Sequence, residues 1–249
     1  MTLGHGTTGS GTPVTFVHGF TQTRSSWAPV VSRLRGAECT VIDAPGHGDS
    51  PDGTRSLWQC ADDIADTMPR GVLVGYSMGA RMAIHTALAH PGWVTALVVV
   101  SGTPGIEDDT ERTARRMSDD RLADHIEEIG VAAFVDEWLS NPMFAGLTEE
   151  MSMRPQRLTN TAQGLADSLR HAGTGTQENL WPRIREIDVP VLIVAGANDT
   201  KFADIARRMN PLIAGSTLHV VPSAGHTVHL EATDAFTGLL GEWLLTNTR

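Results

Sequence analysis

Short, wholly apolar runs alternate along the chain with stretches whose apolar residues recur every three or four positions. That is the pattern of buried strands crossed by helices in a parallel sheet. Strands are predicted over 13–17, 39–43, 72–74, 96–100, 189–195 and 217–221, and helices over 24–34, 57–68, 78–90 and 234–245. In the second helix Leu57, Ala61, Ile64, Ala65 and Met68 fall on one face, and Pro91 stops the third. A turn-rich loop, Ala44-Pro45-Gly46-His47-Gly48-Asp49-Ser50, follows the second strand.

Between 104 and 181 the strand signal disappears and helical patches take over, at 122–126 and 132–139. An all-helical insertion followed by a return to the sheet reads as a cap over the carboxyl ends of the strands, where open parallel sheets bind ligands. The expected architecture is α/β: a mostly parallel sheet flanked by helices, with an inserted helical cap. Residues 1–103 and 182–249 form the core and 104–181 the cap, in a single domain.

Composition narrows the function classes. A net charge of −10 over 249 residues argues against a nucleic-acid surface, which needs a basic excess. Cys39 and Cys60 give neither a disulfide framework nor a metal spacing, and reduced thiols are the expectation. No cofactor or metal motif is present, since Asp and His occur without ligand spacing. No signal-peptide pattern opens the chain and no apolar run approaches the roughly 20 residues of a membrane span, so a cytoplasmic protein without membrane contact is expected. Of 19 basic residues only Lys201 is a lysine, which reads as a compositional bias toward arginine.

The reactive centre is predicted at Ser77. In Gly75-Tyr76-Ser77-Met78-Gly79 the serine follows an apolar strand and opens an amphipathic helix, the setting of a sharp strand-to-helix turn. Glycines flank it because neighbouring backbone approaches too closely for a Cβ. The helix aims its first amides at the reacting atoms, so the Met78 N–H is one oxyanion donor. The second is expected from His18-Gly19-Phe20, after the first strand, through the Phe20 N–H. His18 and His47 read as loop organisers.

A serine needs a base, and the base an orienting acid. His226, in the loop after the last strand, is the expected base, with His229 its competitor. Asp199, after the penultimate strand, is the expected acid, with Asp204 the alternative. On the triad alone, acyl transfer and proton abstraction both stay open, as does a non-catalytic binding role that three chemically intact positions disfavour.

These motifs resemble the α/β-hydrolase superfamily over nearly the whole chain. Gly75-Tyr76-Ser77-Met78-Gly79-Ala80-Arg81 is similar to the nucleophile motif of the 2-succinyl-6-hydroxy-2,4-cyclohexadiene-1-carboxylate synthases of menaquinone biosynthesis. So are Glu137-Trp138, Pro142-Met143-Phe144, Gly173-Thr174-Gly175, Leu180-Trp181, Asn198-Asp199-Thr200-Lys201-Phe202 and Ala224-Gly225-His226-Thr227-Val228-His229. Two departures are Ala80, where a third glycine is common, and a short N-terminus that barely leaves room for the opening strands. The resemblance implies a lyase in which the triad abstracts a proton and pyruvate is eliminated, without an acyl-enzyme. A carboxylic-ester hydrolase or lactonase with Ser77 as nucleophile is the competing reading.

An anionic small-molecule substrate is thereby implied, and the pocket needs cations. Arg81, one helical turn beyond Ser77, offers a bidentate clamp, or else pairs with a core carboxylate. In the cap, Arg157 and Arg115 match the family's carboxylate-binding arginines, against the ordinary fate of a solvated helix face. Tyr76 offers a hydroxyl beside the nucleophile or packs in the turn. Trp138 packs on the substrate ring or in the cap core.

Overall fold

A computed structural model describes residues 1–248. Seven strands form one sheet in the order β1-β3-β2-β4-β5-β6-β7: β1 His5–Gly9, β2 Thr12–Val17, β3 Ala37–Ile42, β4 Gly71–Tyr76, β5 Val94–Val100, β6 Val191–Gly196 and β7 Thr217–Val221. All neighbours are parallel except β1 and β3. The helices are α1 Ala28–Val31, α2 Leu57–Thr67, α3 Met78–Ala89, α4 Asp109–Leu139, α5 Glu149–Ser152, α6 Arg154–Arg157, α7 Ala162–Ala172, α8 Thr200–Met209, α9 Val228–Glu231 and α10 Thr233–Asn247. The architecture is the α/β-hydrolase fold.

The central strands read as unbroken apolar runs because both faces of the sheet are covered. Successive residues of β4 divide between two cores: Leu73 packs with Ile64, Met82 and Ile193, whereas Val72 and Val74 pack with Phe16, Trp27 and Phe236. Burial of side chains of this size contributes on the order of 2 kcal/mol each. The edge strand β1 was not legible from periodicity. Its sequence, His-Gly-Thr-Thr-Gly, is almost wholly exposed and is held by antiparallel backbone pairing to β3. The short N-terminus therefore accommodates two opening strands, joined by a tight turn with positive φ at Gly9 and Gly11.

The helix predicted over 24–34 is shorter: a 3₁₀ turn, Arg24–Trp27, precedes the single turn of α1, whose second residue is Pro29. Between β5 and β6 the described residues contain no strand. The two helical patches of this segment merge into the 31-residue α4, broken where Gly130 takes φ 77° and ψ 165°. Ala123, Ile126 and Phe134 of α4 bury against Leu165, Ala166 and Leu169 of α7, and Phe20 packs on this cluster from the core side. No helix among the described residues is long and apolar enough to cross a membrane.

Candidate active site

Ser77 sits between β4 and α3 with φ 52° and ψ −106°, a strained backbone that presents its hydroxyl at the carboxyl edge of the sheet. Its amide is fixed by the Val100 carbonyl at 2.9 Å. The flanking glycines are required by contact. A Cβ on Gly75 would lie 2.7 Å from Ala80 Cα, and one on Gly79 would lie 2.6 Å from the His18 carbonyl oxygen.

Asp199 and His226 converge on this serine. His226 Nε2 is 3.0 Å from Ser77 Oγ and its Nδ1 is 2.6 Å from Asp199 Oδ2. With Nδ1–H donated to the carboxylate, Nε2 is left to accept the serine proton. Asp199 also caps α8, its Oδ1 accepting the Phe202 amide at 3.3 Å, so the acid is locked by the helix it starts. The alternatives lie elsewhere. Asp204 pairs with Arg207 on the exposed face of α8. His229 is wholly buried between the rings of Trp27 and Tyr76, at 4.3 and 4.5 Å, and burial holds its pKa well below the usual value.

The loop that carries Phe20 is ordered by His18, whose Nδ1–H donates to the Gly19 carbonyl while Nε2 accepts the Ala44 amide. Burial pushes this imidazole down to about 4, so it stays neutral. The elbow is tied to the same loop by the Gly79 amide, which donates to the His18 carbonyl at 3.0 Å. Among the described residues neither the Phe20 nor the Met78 amide has an acceptor in the protein, and both residues line the cavity above Ser77. Two unengaged donors at that place suit a developing oxyanion.

That cavity, about 670 Å³, lies between core and cap, and Tyr76, Arg81, Arg115, Trp138 and Arg157 all line it. Arg81 is buried, makes no ion pair among the described residues, and donates to the Ala172 carbonyl at 2.6 Å. It therefore does not pair with a core carboxylate. Desolvation, with Arg115 nearby, lowers its pKa to about 10. Arg157 is likewise buried and without a carboxylate partner, held by the Ser152 carbonyl at 2.7 Å and by Thr21 Oγ1, with its pKa lowered by burial to about 10. It is no solvated cap arginine. Arg115 differs: it pairs with the buried Asp119 at 2.7 Å and remains partly exposed. Tyr76 turns its hydroxyl to Thr227 Oγ1 at 3.1 Å, so that group is engaged within the protein. Trp138 packs in the cap, stacking with Phe134 and edge-on to Phe20, and it also lines the cavity.

Three contributors were not read from the sequence. Glu231 accepts the Gly225 amide at 2.7 Å and the Thr227 amide at 2.8 Å, clamping the backbone on both sides of His226. Lys201 and Arg208 line the cavity from α8 together with Phe202 and Ile205. The i, i+1, i+4, i+7 spacing of that stripe was the available signal. Among the described residues no group of three or more His, Cys, Asp or Glu side chains is arranged to hold a metal ion.

Comparison with known proteins places this geometry. A model of the alpha/beta hydrolase family matches residues 16–239. A candidate 2-succinyl-6-hydroxy-2,4-cyclohexadiene-1-carboxylate synthase of Bacillus subtilis (strain 168) is 40% identical over 245 residues, covering 93% of this chain and 89% of the relative. The 2-succinyl-6-hydroxy-2,4-cyclohexadiene-1-carboxylate synthase of Serratia proteamaculans (strain 568) is 31% identical, with 92% of each chain covered. The solved structure of MenH from S. aureus superposes with a TM-score of 0.90 at 31% identity, over 100% of both chains.

Proposed function

The chain belongs to the alpha/beta hydrolase family and, within it, to the 2-succinyl-6-hydroxy-2,4-cyclohexadiene-1-carboxylate synthases, and we propose that Ser77, His226 and Asp199 are the proton relay of that reaction. The enzyme is a lyase of menaquinone biosynthesis that eliminates pyruvate from a cyclohexene polycarboxylate.

In this reading His226 draws the proton from Ser77 Oγ as the serine oxygen removes a ring proton from the substrate. Asp199 holds the imidazole in the competent tautomer and stabilises the imidazolium. The electrons released from the C–H bond form the new ring double bond and break the C–O bond to the side chain. That group leaves as the enolate of pyruvate and recovers the proton, so nothing is consumed and no bond to Ser77 forms. The Phe20 and Met78 amides stabilise the negative charge that builds on a substrate oxygen during proton removal.

One observation carries the assignment to an anionic substrate: Arg81 and Arg157 are two buried guanidiniums in the cavity wall that make no ion pair with a carboxylate among the described residues. A buried unpaired charge costs several kcal/mol, a cost that substrate carboxylates offset and a neutral ester does not. Two reduced, buried thiols, Cys39 and Cys60, suit a cytoplasmic setting, which we adopt as part of the proposal. The test is pyruvate release by the purified protein from the cyclohexene polycarboxylate, followed with a coupled dehydrogenase. Turnover well above background is expected. No release, alongside rapid hydrolysis of simple esters, overturns the assignment.

A further inference from the structure

The product's name counts two carboxylates, one on the ring and one on the succinyl group, and departing pyruvate carries a third. The substrate therefore brings three negative charges into one cavity. Five cations line it: Arg81, Arg115, Arg157, Lys201 and Arg208. Two are already neutralised, Arg115 by Asp119 at 2.7 Å and Arg208 by Glu107 at 2.7 Å. Arg208 also lies over the Trp181 ring, 3.9 Å from its centroid, so it closes a seam between core and cap. Arg81 and Arg157 supply two unpaired charges, which leaves one carboxylate without a partner.

The geometry points to Lys201 as the third carboxylate site, a specificity-determining cation for the reaction proposed above, on which this inference rests. The ion pairs of α8 are Arg207 with Asp204 and Arg208 with Glu107, and Lys201 enters none among the described residues. It occupies the first turn of α8, where the positive end of the helix disfavours a cation, so helix stability does not account for it. Its Nζ lies 5.7 Å from the centroid of the Phe202 ring, and that ring lies 4.6 Å from the ring of His226. The ammonium is exposed, beside a ring that itself packs on His226, whereas Arg81 and Arg157 are buried. Glu107, Asp108 and Glu111 also line the cavity, and Glu107 is the acid already held by Arg208 of α8. A flexible ammonium on an open rim suits a mobile carboxylate, as the rigid guanidiniums suit fixed ones.

The sole lysine of the chain makes the site directly readable, because an amine reagent has only Lys201 and the N-terminal amine to modify. The N-terminal amine pairs with Asp63, a residue outside the cavity lining, and serves as the internal control. In the Ser77→Ala protein, saturation with the tricarboxylate substrate is expected to slow acetylation of Lys201 at least fivefold by peptide mass spectrometry, with the N-terminal amine unaffected. In the otherwise native enzyme Lys201→Met is expected to raise KM about tenfold with kcat within threefold and an unchanged melting temperature, and Lys201→Arg to restore KM. Normal pyruvate release by the unmodified enzyme, with unprotected Lys201 or an unchanged KM in Lys201→Met, overturns the lysine site alone. Absence of pyruvate release by the unmodified enzyme overturns the reaction itself, and the lysine site with it.

Discussion

Arg81 donates from Nη1 to the carbonyl of Ala172, the last residue of α7, so the nucleophile helix and the cap share one buried cation. A helix C-terminus carries partial negative charge, which satisfies part of the guanidinium without neutralising it. The remaining charge faces the cavity beside Ser77.

Arg81→Met is therefore expected to lower kcat/KM for pyruvate elimination by about two orders of magnitude, the usual cost of removing one partner of a desolvated charge pair. Arg81→Lys restores only part of it, because an ammonium cannot reproduce the two-pronged contact. Steady-state kinetics on the anionic substrate decide the matter. Unchanged activity in Arg81→Met means the clamp is misassigned.

Removing the relay acts on the chemical step. Ser77→Ala and His226→Ala are each expected to reduce kcat by about 10³-fold or more, and the double variant to lose little beyond the worse single one, because the residues act as a unit. Losses that simply multiply in the double variant would show that the two work independently.

Glu231 holds the amides of Gly225 and Thr227, on either side of His226. Glu231→Ala frees both and lets the imidazole drift from Ser77, and misplacement by about 1 Å costs on the order of 10²-fold in rate. The loss is expected in kcat with KM nearly constant, since the cationic wall is untouched. A rise in KM with kcat preserved would place Glu231 in substrate binding instead.

Buried histidines set the acid sensitivity. Burial lowers His47 to about 3, and His18 and His85 to about 4, against 6.5 in the unfolded chain. The unfolded state thus binds more protons below pH 6.5, and stability falls as pH drops from 6.5 toward 4, by up to about 1.4 kcal/mol per pH unit for each histidine. His47 donates to the Pro45 carbonyl through Nδ1, a bond that an asparagine amide can imitate. Urea unfolding of His47→Asn at pH 6.5 and 5 is expected to show a smaller pH dependence than the native chain. An equal dependence would remove His47 from the account.

The central strands were legible because β4, β5 and β6 are buried on both faces and must be apolar throughout, and Ser77 because its two glycines answer to backbone contacts. Where pairing alone holds a segment, as in β1, side chains carry no signal. Arg81 and Arg157 were readable as cations but not as unpaired ones. That depends on Asp119, the one buried acid of the cap, pairing with Arg115 instead. Glu231 and Lys201 escaped for a related reason. Glu231 acts through where the chain folds it, against amides six and four residues away, and Lys201, though inside the Asn198–Phe202 motif, through the cavity that the fold brings to it.

The distinction between proton relay and acyl transfer comes down to what happens at Ser77 Oγ. Turnover quenched in acid, with pyruvate quantified and the intact protein weighed from the same sample, addresses it most directly. Pyruvate released over many turnovers, with the protein at its unmodified mass, is the predicted result. A covalent adduct on Ser77 during turnover, or substrate consumed without pyruvate, would contradict it.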